Sequence, residues 1–353
     1  MTDTRTSRRR FLTTAAAASA ASVIFPHVVT RARAASKNEL VFVGFGGTYQ
    51  DGQPKALFEP FEKETGIKII QTTGVDLAKL RAQVQSKNVE WDLISIGDRQ
   101  RYTAVNDGLV SRLNYSIINA KDVIPRLVTE YSVGSVTVPM TLTYSTKAHP
   151  PGKEPRSWFD FWDPKKVPGQ RGMYNAPPYS LEFALVADGV SKDKLYPLDV
   201  PRAFKNFDRI KSEIKVWWSQ FPQPGVLLKS GEITMTPWTR AISLILEGEP
   251  LGITYDGAAL TFEAWVVPNG APHAENAMKF INWAIQPKPQ AELTKYIAFG
   301  PTNTKAMEFV SPKVKPLLSS EPENIKKGFF LSGDWWGPNF EKVTEQWNEW
   351  RLK

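Results

Sequence analysis

Two clusters in this 353-residue chain combine side chains able to grip a small charged molecule. The first is Gly46-Gly47-Thr48-Tyr49. Glycines let backbone N–H groups come close to a ligand, and the Tyr49 ring beside them could stack on it. The second is Trp238-Thr239-Arg240, directly after Pro237. Proline suits the first position of a helix, so Trp238 and Arg240 are expected in a first helical turn. That end of a helix carries partial positive charge and favours an anion. Each cluster has a plainer role open to it. For the glycines it is a simple turn with Tyr49 at the surface, and for Arg240 a structural salt bridge.

Other chemistries lack their residues. There is no Gly-x-Ser-x-Gly elbow and no phosphate loop with its lysine, and cysteine is absent. Past residue 34 the histidines are His149 and His273, neither with a second histidine at ligand spacing. The chain therefore reads as no enzyme, with no metal and no cofactor.

The elements that must position these clusters follow from pattern. Residues 40–45 are apolar and β-prone, suited to a strand buried on both faces. Gly44, Gly46 and Gly47 break it, and Leu57, Phe58 and Phe61 then recur at helical spacing. Gly66 ends that helix, and Ile67, Ile69 and Ile70 start a second strand. This is a βαβ unit with its glycines at the carboxyl end of a strand, where open α/β sheets take ligands. It is not a dinucleotide fingerprint, because Tyr49 stands where the third glycine of GxGxxG is needed. Residues 91–96 and 133–143 read as further strands, 77–88 as a helix, and 233–236 and 251–255 as strands flanking the helix that contains Arg240. Phe340, Val343, Trp347 and Trp350 form a packing stripe on a last helix.

The net charge of +8 is concentrated at the start. Residues 1–34 hold six arginines against Asp3, a surplus of five, which leaves +3 for the rest and gives nucleic-acid binding little support. SRRRFL at 7–12 has the twin-arginine export pattern, and Ala32-Arg33-Ala34 has the form of a signal-peptidase site. An uncleaved anchor is the alternative, but Pro26 and His27 interrupt a run that is only mildly apolar. The mature chain is expected to be soluble and exported folded.

A strand into Gly-Gly-Thr-Tyr, then LFEPFEKETGIK at 57–68, resembles the spermidine/putrescine-type solute-binding proteins of bacterial ABC importers. The resemblance returns at PRSWFDFWDPKKVPGQRG (155–172), LEFALVADGV (181–190), AENAMKFINWAIQP (274–287) and FGPTN (299–303). It implies an α/β, two-lobed periplasmic binding protein fold of class II, with a ligand cleft between lobes and a two-strand hinge. It places lobe 1 at 37–141 with 264–305, and lobe 2 at 142–263 with 306–353. It also implies a periplasmic monomer that hands a small solute to membrane permease subunits.

The resemblance extends the candidate site. Gly46, Gly47 and Thr48 would lie at the ligand. Asp98, just past a strand end, would touch it, or else cap the following helix. Thr141 and Thr143 would lie near the lobe crossover. Polyamine binders carry an acidic pair near 179–182: Glu182 matches its second member, and Tyr179 replaces the first. Aligned on Val267-Pro268, Glu263 matches their amine-binding aspartate, while Thr261 replaces the tryptophan that walls it. Relatives have Trp-x-Gly-Arg where this chain has the shorter Trp-Thr-Arg. A polyamine site needs several carboxylates and no cation. Arg240 beside Glu182 and Glu263 instead suits a zwitterion, such as an ω-amino acid or a sugar–amino-acid conjugate, with putrescine or spermidine as the alternative.

Overall fold

The computed structural model describes residues 37–353; the segment 1–34, read above as an export signal, lies outside them. In chain order the strands are β1 (Glu39–Gly44), β2 (Lys68–Thr73), β3 (Leu93–Gly97), β4 (Val133–Ser145), β5 (Arg171–Tyr174), β6 (Ile214–Trp218), β7 (Met235–Trp238), β8 (Leu251–Val266), β9 (Gly300–Pro301) and β10 (Phe329–Phe330). They hydrogen-bond in the order β2-β1-β3-β8-β4-β7-β5-β6, with β10 joined to β8 and β9 to β4.

The expected βαβ unit is present. β1 runs parallel to both β2 and β3, with Leu40, Phe42 and Val43 fully buried. Gly66 ends the connecting helix in the left-handed region, at φ +72°. That helix starts earlier than the glycines suggest. Gly47–Gln53, a wide turn at Pro54–Phe58 and Glu59–Thr65 follow one another directly. Phe45 and Gly46 separate strand from helix, Gly46 at φ +79° and Gly47 at φ +68°, and the Gly46 N–H donates to Gln50 Oε1 at 2.9 Å. Thr48 and Tyr49 therefore sit on a helix's first turn rather than in a loop, and helical spacing turns Tyr49 inward alongside Gln53 and Ala56.

β4 and β8 are long enough to serve two hydrophobic cores. Val133, Val136 and Val138 of β4 pack in one core with Phe262, Ala264 and Trp265 of β8. Further along, Met140 and Leu142 of β4 and Ala259 of β8 belong to the other. The strands pair antiparallel from Val133↔Trp265 to Ser145↔Leu251, with a register shift between Met140 and Leu142 at the crossover. The second core explains the tryptophan content: Trp158, Trp218, Trp336 and Trp347 are fully buried in it. Val343, Trp347 and Trp350 of the helix Gly333–Leu352 enter that core as the expected stripe, and Phe340 packs on its edge.

The segment around Arg240 differs from its reading. Pro237 and Trp238 complete strand β7, the helix is Ala241–Leu246, and Arg240 is its N-cap residue. Beyond the Arg171↔Met235 pair β7 is bonded to β4 alone, so the missing N–H of Pro237 forfeits no second ladder bond. Among the described residues, no helix is long and apolar enough to cross a membrane.

Candidate functional site

Two cavities, each of about 350 Å³, open beside the strand crossover. The first draws Gly97, Asp98 and Arg99 from the end of β3, Thr261 and Glu263 from β8, Tyr174 and Tyr179 from the β5 region, and Trp336 and Phe340 from the last helix. The second holds Thr48, Trp238, Arg240, Ile297 and Phe299. Phe221 lines the first and Pro222 the second, so the two adjoin along that bond. Trp238 fixes this junction, donating its indole N–H to the Phe221 carbonyl at 2.7 Å. Gly225 permits the arrangement, since a Cβ there would lie 2.8 Å from the Trp238 ring.

Glu263 is the unusual group. It lies on β8 with its Cα paired to Gly97 of β3 and Val136 of β4. Its Oε2 is buried without a hydrogen-bond partner, and no cation pairs with it among the described residues. Burial pushes its carboxyl up to about 8. A buried carboxylate without a counter-charge is costly, so it either keeps a proton or waits for a cation. The phenols of Tyr49 and Tyr179 are close enough to feel its charge, and burial raises both, so they stay neutral. Tyr179 itself sits at φ +70°, a left-handed conformation inside the helix Pro177–Ala187, with its phenol at the cavity.

Arg240 lines the second cavity and has no ion pair or side-chain hydrogen bond among the described residues, so the structural salt bridge is absent. Thr48 and Trp238 join it there. The remaining candidates are placed differently. Glu182 is fully buried and lines neither cavity. Its Oε1 accepts from Tyr196 Oη at 2.7 Å and Trp336 Nε1 at 2.6 Å, so it braces Trp336 from behind, while its Oε2 is buried without a partner as in Glu263. Burial raises this carboxyl to about 7. Asp98 borders the first cavity with both oxygens engaged, by Arg101 Nε and by the Gly333 N–H, each at 2.8 Å. Gly97, not Asp98, is the helix N-cap, so Asp98 does not take the capping role.

Thr141 is buried and ties β4 to β7 through the Trp238 carbonyl at 3.3 Å. Gly46 and Gly47 line neither cavity. Tyr49 is neither a surface residue nor a cavity wall. It is 8% exposed, its hydroxyl bonds Ser135 Oγ at 3.0 Å, and its ring centroid lies 5.8 Å from that of Phe299. It supports the cavity through Phe299.

Arg99 is the residue the sequence reading passed over. It lines the cavity of Glu263 and makes no ion pair among the described residues. Its guanidinium carbon stands 4.0 Å from the centroid of the Phe340 ring. Its position two residues past the end of β3 was a signal, obscured by the carboxylate of Asp98 next to it. The described residues contain no cluster of metal-ligating side chains, and His149 and His273 are bonded to Thr234 and Asp92.

Comparison with known proteins places these features. Residues 56–322 match the family model described as bacterial extracellular solute-binding protein. The chain is 30% identical to the gamma-aminobutyric acid-binding protein of Pseudomonas aeruginosa, over 94% of this chain and 96% of the relative. It is 22% identical to the spermidine/putrescine-binding periplasmic protein of Escherichia coli, over 78% of this chain and 82% of that one. The solved structure of the binding protein AgtB from A. tumefaciens R10 in complex with agropinic acid aligns with a TM-score of 0.74 and 38% identity, covering 90% of this chain and 100% of that chain.

Proposed function

Since the chain belongs to the bacterial extracellular solute-binding proteins, non-catalytic two-lobed class II binding proteins of ABC importers, we propose that its solute is a small zwitterion. The ligand's ammonium pairs with Glu263 and its carboxylate with Arg240. The observation that carries this reading is the buried, unpartnered Glu263 carboxylate in a cavity adjoining one with an unpaired arginine. The candidates are an ω-amino acid or a sugar–amino-acid conjugate. A relative named for gamma-aminobutyrate, itself an ω-amino acid, supports that choice. A polyamine fits less well, because each cavity presents an unpaired guanidinium and polyamines are cations throughout.

The lobes of this reading are 37–141 with 264–305, and 142–263 with 306–353. β4 and β8 are the hinge, ligand bridging both lobes favours the closed form, and the closed monomer docks on permease subunits.

Calorimetry of wild type and Arg240→Ala against 4-aminobutyrate, a sugar–amino-acid conjugate, putrescine and spermidine tests the ligand. Arg240→Ala is expected to weaken the zwitterions by about 1.5–3 kcal/mol, the worth of a hydrogen bond to a charged group. Polyamine binding that is tight in wild type and kept or improved in the mutant overturns the zwitterion in favour of the polyamine. Export is proposed to use the twin-arginine route, so changing Arg8 and Arg9 to lysine should leave precursor inside the cell. Mature protein appearing in the periplasm at the wild-type level counts against that route.

A further inference from the structure

A zwitterion on Glu263 and Arg240 leaves the guanidinium of Arg99 without a counter-charge. It shares a cavity with Glu263, and both act electrostatically on Tyr179, which lies in the same wall. Yet Arg99 and Glu263 do not pair with each other. Each is left for something that enters the cavity.

We propose that the ligand is an amino dicarboxylate: Arg99 takes a carboxylate next to the ammonium held by Glu263, and Arg240 takes a second, distal carboxylate. This rests on the zwitterion reading and deepens it. The backbone sets the spacing. Gly97 is the strand partner of Glu263, and neighbouring strands lie about 4.8 Å apart. Arg99 lies two residues beyond Gly97, in the first turn of the helix that follows β3, and lines the same cavity as Glu263. An α-amino acid head presents its ammonium and carboxylate on one carbon, which suits two such neighbours. Arg240 belongs to the adjoining cavity and reaches only the far end of the molecule.

Charge balance agrees. Among the charged residues lining the two cavities that are not exposed to solvent, Arg99 and Arg240 are unpaired cations and Glu263 an unpaired anion, whereas the Asp98 carboxylate is taken by Arg101 and the Gly333 N–H; at the rim of the Arg240 cavity Lys229 pairs with Glu249 and Glu247 is exposed. A ligand with one ammonium and two carboxylates answers all three. Phe340 contributes by holding its ring under the guanidinium, which limits the orientations Arg99 must give up on binding.

Glutamate and 4-aminobutyrate differ by only the α-carboxylate, so their affinity ratio isolates Arg99. Calorimetry would compare L- and D-glutamate with 4-aminobutyrate, and the 1-deoxyfructosyl conjugates of each, on wild type, Arg99→Gln and Arg99→Lys. Wild type is expected to prefer the dicarboxylate of each matched pair at least tenfold. Arg99→Gln should bring that ratio close to one, and Arg99→Lys, which keeps the charge but not the planar fork, should restore part of it. Wild type binding the monocarboxylate as tightly as the dicarboxylate overturns the proposal. So does Arg99→Gln keeping the preference while losing only thermal stability, which would make Arg99 a strut against Phe340. Failure of the zwitterion reading looks different, since it shows as tight putrescine binding that survives Arg240→Ala.

Discussion

Replacing Glu263 by glutamine is expected to weaken binding of an amine-bearing ligand by about 2–5 kcal/mol, because the ligand's ammonium would enter a desolvated site with no counter-charge. The same change should abolish a pH dependence. With its carboxyl held at about 8, Glu263 is mostly protonated at neutral pH in the empty protein. An incoming ammonium needs the anion, so binding releases a proton. Affinity should therefore rise as pH increases toward 8, approaching tenfold per pH unit at the acid end, and then level off. Tyr49 and Tyr179, the titratable groups that feel this carboxylate, are raised by burial and stay neutral throughout. Glu182 lies behind Trp336. Titrations from pH 6 to 9 in buffers of different ionisation enthalpy measure the proton directly; a pH-independent affinity with no proton release would sink the assignment.

Stability of the empty protein carries the opposite sign. A carboxyl raised in the folded state binds its proton more tightly than in the unfolded chain. Its contribution to stability is therefore lost as pH rises from the ordinary carboxylate range through about 8. Glu182, raised to about 7, acts in the same direction, so the difference between wild type and Glu263→Gln isolates Glu263. Thermal melts should show the glutamine variant overtaking wild type at the alkaline end.

Tyr49→Ala is expected to cost about 3–5 kcal/mol of folding stability, the range for removing a buried aromatic ring. The ring packs in the core with Phe299, and its hydroxyl bonds Ser135, whose Oγ also reaches the Glu263 carbonyl at 3.1 Å. Tyr49→Phe removes only the hydroxyl and should cost about 1 kcal/mol. Urea unfolding of both variants without ligand checks the pair. An unchanged midpoint with lost affinity would return Tyr49 to the ligand wall.

The sequence by itself determined everything that depends on neighbours along the chain. The β1–helix–β2 unit, the left-handed Gly66 and the stripe of Val343, Trp347 and Trp350 follow from period and from glycine's backbone freedom. The phrases that identify the family were legible for the same reason. Of the two proposed binding groups, Arg240 was marked by its place just past Pro237 and Glu263 by the family pattern at Val267-Pro268.

What only the tertiary structure decided is which polar groups remain free. Glu182 and Glu263 are the same residue type, and both are buried in apolar surroundings. One oxygen of Glu182 is taken by Trp336, 154 positions away, and one of Asp98 by Gly333, 235 positions away. Glu263 and Arg99 stay open because nothing in the fold comes to meet them. Pairing overrode local preference at Pro237, drawing Trp238 into a strand against Thr141. A helix that begins at Gly47, ahead of Thr48 and Tyr49, turned the Tyr49 ring into the core. Availability for binding is a property of the spaces between elements, and those spaces are set by contacts the linear order does not contain.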